Sequence, residues 1–327
     1  MTRYRIQLIA LAAVVMSAAM VWADTYRLEQ GKDLKPLSAE DKYLLAVAET
    51  KKLVNAGQAG AARTAFDKLK QDFPEIAGPD LDIFIEAELL FCEGKFTKAV
   101  FTYDKLLTDY PESQLREAAL DRQFAIGTAF LGGQEKQLLR LFKIKGYAEG
   151  IEIMERITER AGIDSPIGLK AATAAAKNYE NRKRFDEAYL KWQEISTEWN
   201  TGQLGKDTLL NMARCKHAVY TSYPEHKRSW YDDSSLLTAR SYYERFKLTY
   251  PQDAEKIGVD KILKEINEQL ADKQLSVAQY YQRTGNKQSA NLYYQMLIND
   301  TNWQQTRAAK VAKQMLAQNA SGSEKNK

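Results

Sequence analysis

Residues 93–113 read EGKFTKAVFTYDKLLTDYPES, and the fold is decided by how this stretch is read. It opens on Gly94 and closes on Tyr110-Pro111. Counting back from Pro111, Tyr103 lies eight residues before it, Ala99 twelve and Gly94 seventeen. The same offsets recur elsewhere. Pro74 is preceded by Phe66, Ala62 and Gly57, and Pro251 by Tyr243 and Ala239. Asn200 takes the proline's place behind Trp192 and Ala188, and Asn302 behind Tyr294, Ala290 and Gly285. Farther upstream, twenty-four residues before the end point, stand Ala87, Ala176 and Ala278.

The physics of this pattern is a helix hairpin. An Ala and an aromatic four residues later share one helix face. The small residue lets backbones approach, and the aromatic fills the gap against the next hairpin. Gly takes the left-handed conformation that ends the first helix, and Pro forbids continuation of the second. Pro74 and Pro111 are 37 residues apart, near the 34 of tetratricopeptide (TPR) repeats. The expected fold is all-α, a right-handed α-solenoid of about five to six TPR-like helix hairpins with a concave surface.

Working outward, 41–162 holds repeats one to three, and 163–318 holds repeats four to six with a cap helix over 303–318. Residues 24–40 are a lead-in, and 319–327 a polar tail expected to be disordered. Repeat three is stretched by an insertion at Gln134–Lys145, and repeat five by one at Thr221–Ser234. No strand-like alternation is read anywhere. In repeat three Gly127 takes the small-residue position, and Asp233-Ser234 reads as a helix N-cap.

The first 23 residues carry the mark of export. Arg3 and Arg5 precede an uncharged run from Ile6 to Trp22, and Val21-Trp22-Ala23 fits cleavage before Asp24. An uncleaved anchor helix is the alternative, since the run sits at the short edge of a bilayer span. Cleavage removes both Arg and lowers the net charge of the 327-residue chain from +4 to +2. Such balance argues against a nucleic-acid partner. Two Cys (Cys92, Cys215) and two His (His217, His226) leave little room for a metal site, and no catalytic motif occurs. No cofactor and no catalytic residue is expected, and the chain is read as non-enzymatic.

Recognition is the stronger reading. In a TPR hairpin the first helix lines the groove. Positions 27 and 20 before the repeat end are Val47 and Val54, then Phe84 and Phe91, then by the Gly127 alignment Phe124 and Leu131. Repeats four and six put Thr173, Glu180, Leu275 and Gln282 there, so the groove reads apolar in its N-terminal half and polar in its C-terminal half. Lys51 and Glu88 are expected on its rim, a setting for an extended or amphipathic peptide. The alternative is that the stripe is core within each repeat, since i and i+7 share a face in any helix. The second insertion, with Tyr223, Trp230 and Tyr231 among charges, is a candidate partner-binding loop. Lys136, Arg140, Lys143 and Lys145 make the first insertion basic.

EGKFTKAVFTYDKLLTDYPES (93–113), RFDEAYLKWQEI (184–195), ARSYYERFKLTYPQ (239–252) and QLSVAQYYQRTGNKQSANLYYQML (274–297) together resemble the BamD family. These are the outer-membrane assembly lipoproteins of the β-barrel assembly machinery. LREAALDRQFAIGTAFLGG (115–133) and GYAEGIEIMERI (146–157) follow the family's order, so the likeness covers about 40–316. The resemblance implies N-terminal repeats that receive unfolded outer-membrane β-barrel substrates and C-terminal repeats that dock the barrel-assembly subunit. It implies a periplasmic location, peripheral at the inner face of the outer membrane. The sequence departs from the family in one respect. Members carry a lipid-modified Cys near the N-terminus, whereas the first Cys here is Cys92 and position 24 is Asp. Membrane contact is therefore expected to be indirect.

Overall fold

The computed structural model describes residues 39–139 and 142–324. The signal-like segment 1–23 and the lead-in up to 38 lie outside the described residues. Contacts within the chain fall into two units, Met1–Ala171 and Ala172–Lys327. The division falls inside a helix, a little beyond the boundary expected at 162/163.

In the first unit, α1 (Ala39–Asn55) and α2 (Ala59–Asp72) form the first hairpin. The second is α3 (Pro79–Cys92) with α4 (Phe96–Asp109), and the third α5 (Arg116–Leu131) with α6 (Tyr147–Ala161). Helix α7 (Pro166–Asn181) spans the division. The second unit continues with α8 (Phe185–Glu198), α9 (Gly202–Thr221) and α10 (Ser234–Thr249). It closes with α11 (Pro251–Ile257), the long α12 (Val259–Arg283), α13 (Lys287–Asn299) and α14 (Arg307–Glu324). The fold is all-α and of the helical-repeat type.

The repeat offsets are packing instructions. Ala62, Ala99, Ala188, Ala239 and Ala290 are each 0% exposed. Four residues on, Phe66, Tyr103, Trp192, Tyr243 and Tyr294 are all buried. Truncating such an aromatic costs roughly 3–5 kcal/mol. Gly57, Gly94 and Gly285 take φ of +72°, +72° and +83°, the left-handed turn that reverses the chain. At the equivalent place in repeat four stands Lys183, the one described non-glycine at positive φ (+59°).

The expectation of no strand is corrected. The first insertion forms an antiparallel hairpin of β1 (Glu135–Leu139) and β2 (Phe142–Lys145), with a register shift between Gln137 and Leu139. Two strands this short carry too few residues for alternation to show against a helical background. The C-terminal expectation is corrected as well. Instead of disorder from Asn319, α14 runs on to Glu324. The Asn319 amide exchanges hydrogen bonds with Gln282 (2.9 and 3.0 Å) and donates to Asn291 (2.6 Å), which anchors the last turns. At the start of α10, Asp233 is the N-cap residue but makes no side-chain cap. Asp232 accepts from the Ser234 amide instead, at 3.2 Å, while Asp233 pairs with Lys273 at 3.8 Å.

Candidate functional site

The first helices of the three N-terminal hairpins are tied by a polar chain. Glu88 on α3 is 3% exposed. Its carboxylate accepts from the Tyr103 hydroxyl at 2.6 Å and from Arg122 Nε and Nη2 at 2.7 Å each. Arg122 comes from α5, and its Nη1 donates to Asn55 Oδ1 on α1 at 2.8 Å. The guanidinium also lies over the Phe91 ring, 4.8 Å from its centroid. One residue from each of three consecutive first helices thus joins one network. Burial works against the Arg122 charge, but Glu88 outweighs it and holds the guanidinium above its ordinary value. Burial first, then the Glu88 charge, push the Tyr103 phenol well above its usual range.

This geometry revises the expected groove. Glu88 is not on a rim, because Tyr103 and Arg122 draw it inside. Val54 is 1% exposed and packs with Ala62, Phe66 and Leu89, since its face of α1 turns toward α2 and α3. Phe84 stands edge-on to Tyr103 at 5.9 Å, and Phe91 contacts Phe96 at 5.6 Å. Val47, Phe124 and Leu131 are half-buried, and Lys51 is exposed. The face that remains is less apolar than expected, and Lys51, Asn55 and the Arg122–Phe91 stack mark it. Sequence reading missed Arg122 and Asn55. Neither sits at a repeated offset, and only the folded array brings them to Glu88.

A separate cleft of about 400 Å³ opens on the opposite side of α3. Ile85, Leu89 and Leu90 are its apolar lining. Asp82, Glu86 and Glu93 stand around it, with Arg63 of α2 and Lys95. Asp82 is paired with Lys70 at 2.6 Å, and Glu93 with Lys95 at 2.6 Å.

In the second unit the expected positions divide. Leu275 is buried, Thr173 half-buried, and Gln282 is held by Asn319. Glu180 accepts from Trp192 Nε1 and from the Cys215 thiol at 3.4 Å. Burial and the Glu180 charge push that thiol far up, so it is a poor nucleophile. Cys92 and Cys215 are both free thiols. Burial lowers the His217 pKa, and its Nε2 is buried without a hydrogen-bond partner.

The second insertion is a built loop. Glu225–Trp230 forms a 3₁₀ turn. Arg228 donates to the Tyr223 carbonyl at 3.1 Å and to the Thr221 carbonyl at 2.9 Å. Tyr220 OH donates to the Arg228 carbonyl at 3.2 Å, and Lys273 donates to the Tyr231 carbonyl. Tyr223 and Tyr231 stack at 4.0 Å with 5° between planes. Trp230 stands on this frame 79% exposed. Of the three aromatics singled out here, two therefore build the loop and one is presented to solvent. Among the described residues no group of three or more His, Cys, Asp or Glu could hold a metal ion, and no helix is long and apolar enough to cross a membrane.

Residues 84–113 match the tetratricopeptide repeat model. No curated protein matches the chain. Among solved structures, PilW, described as a widely conserved type IV pilus biogenesis factor, is 14% identical, with 83% of this chain and 97% of that one covered and a TM-score of 0.29. The apo form of RapI is 12% identical over 97% of this chain and 96% of that one, with a TM-score of 0.30. At these scores the alignments carry no argument, and the fold rests on the hairpins themselves. The matched repeat covers most of α3 and all of α4, one hairpin of this all-α helical-repeat fold.

Proposed function

We propose that this chain is a non-enzymatic protein-binding scaffold of the cell envelope that acts in outer-membrane protein assembly. The observation that carries it is the first-helix face of the first unit. There Asn55, Phe91 and Arg122, from three successive hairpins, are joined by a hydrogen bond and a cation–ring stack, which aligns three first helices on one face that would suit an extended segment. Export is supported by the basic, apolar and small-residue succession of 1–23. The assembly role is supported by the resemblance of segments between 93 and 297 to the BamD family. In that role the chain holds unfolded barrel segments and docks the barrel-assembly subunit, with membrane attachment through partners.

The departure from the BamD pattern, Asp at position 24, supports a second reading, a general TPR interaction module of the cell envelope serving cell-wall, division or secretion machinery. Crosslinked pull-down of the C-terminally tagged full-length chain, with a photoreactive residue at Lys51, separates the two. Recovery of a large outer-membrane β-barrel protein supports the first, and recovery of peptidoglycan or secretion components the second. Crosslinks that form from exposed positions on the second helices but never from Lys51 would refute the assigned face.

A further inference from the structure

Trp230 is 79% exposed on a frame of four hydrogen bonds and a ring stack, which holds the segment that presents it. Residues three apart eclipse in a 3₁₀ turn, so Lys227 stands on the same side as Trp230 while Arg228 is turned inward to the carbonyls. Lys227 is exposed and makes no ion pair among the described residues. The loop therefore offers one indole beside one uncommitted ammonium.

The cleft on α3 is the matching shape. Ile85, Leu89 and Leu90 are its apolar lining beside charged neighbours, and its volume of about 400 Å³ has room for an indole side chain. Of its carboxylates, Asp82 and Glu93 are taken by Lys70 and Lys95. Glu86 is exposed and unpaired among the described residues, so it is the one acid free to meet an incoming cation.

We propose that this chain self-associates head to tail, the Trp230 indole of one copy entering the α3 cleft of a second copy and Lys227 pairing with Glu86. The two surfaces differ, so the contact is heterologous. Trp230 is the hot spot, and the ion pair sets the register.

Sedimentation velocity of the purified protein from about 1 to 200 µM tests this, the range in which a small contact centred on one aromatic is populated. The expected result is a concentration-dependent series of species. Trp230→Ala should weaken association about thirtyfold, as hot-spot truncations do. Lys227→Glu and Glu86→Lys should each abolish it, and mixing the two variants should restore a complex, because both loop–cleft pairs between unlike variants then have opposite charges. These substitutions lie on exposed positions, and circular dichroism of each variant checks that the helices are intact. A monomer at every concentration overturns the proposal. So does association that Trp230→Ala leaves as tight as in wild type, or failure of the mixed variants to associate. Binding of Trp230 to vesicles with one-third anionic lipid, without self-association, also overturns it and assigns the loop to a lipid surface.

Discussion

Glu88 is a buried carboxylate whose neighbours are supplied by three helices. The pair with Arg122 is bidentate, with side chains only 4% and 11% exposed. Removing one partner strands the other charge away from water. Arg122→Met is therefore expected to destabilise the first unit by about 3–5 kcal/mol, read as a lower urea midpoint with an unchanged slope. Joint replacement of Glu88 and Arg122 by apolar residues of similar volume should recover most of that loss. His217 gives a pH prediction. Burial holds its folded pKa below the unfolded value, with Arg228 adding to the effect and Glu265 opposing it. The unfolded chain thus binds the proton more readily. The His217 contribution is intact above about pH 6.5 and is lost as pH falls below it. Chemical unfolding at pH 7.5 and 5.0 should show wild type losing more stability on acidification than His217→Phe. Equal losses would refute the assignment.

At the scale of elements, the small residue of each first helix decides how closely its hairpin closes. A Cβ on Gly127 would meet Met154 Cε at 2.9 Å and Ile153 Cγ2 at 3.0 Å, both on α6. Gly127→Val should cost about 1–3 kcal/mol by overpacking, measured as a lower unfolding midpoint, whereas a surface change such as Thr64→Ser should be neutral. Helix positions were legible because small, aromatic and turn residues recur at fixed offsets. The β1–β2 hairpin was not, because it occurs once and has no counterpart to count against. The end of α14 was missed for a different reason. The run from Asn319 is polar, but a polar run stays helical when an amide such as Asn319 finds Gln282 and Asn291 across the packing interface.

For the whole molecule, the prediction is export. Amino-terminal sequencing of the protein from a periplasmic fraction should begin at Asp24, and replacing Ala23 by a large residue should leave the precursor uncleaved. A protein that retains residues 1–23 in the membrane fraction would establish the anchor instead.

The sequence by itself determined the all-α class, the hairpin unit, the residues of the core and the places where the repeat is stretched. Each follows from local rules, because helix periodicity, glycine turns and proline stops act within a few residues. Only the tertiary structure decided which polar groups meet. Asn55, Glu88 and Arg122 are 33 or 34 residues apart in steps, and nothing in their local sequence marks them as partners. Tertiary packing also turned Glu88 inward, opened the cleft on the far side of α3 and left Trp230 outside while folding Tyr223 and Tyr231 into its support. Those outcomes depend on side chains from different helices competing for the same buried space, a competition that no single helix face can reveal.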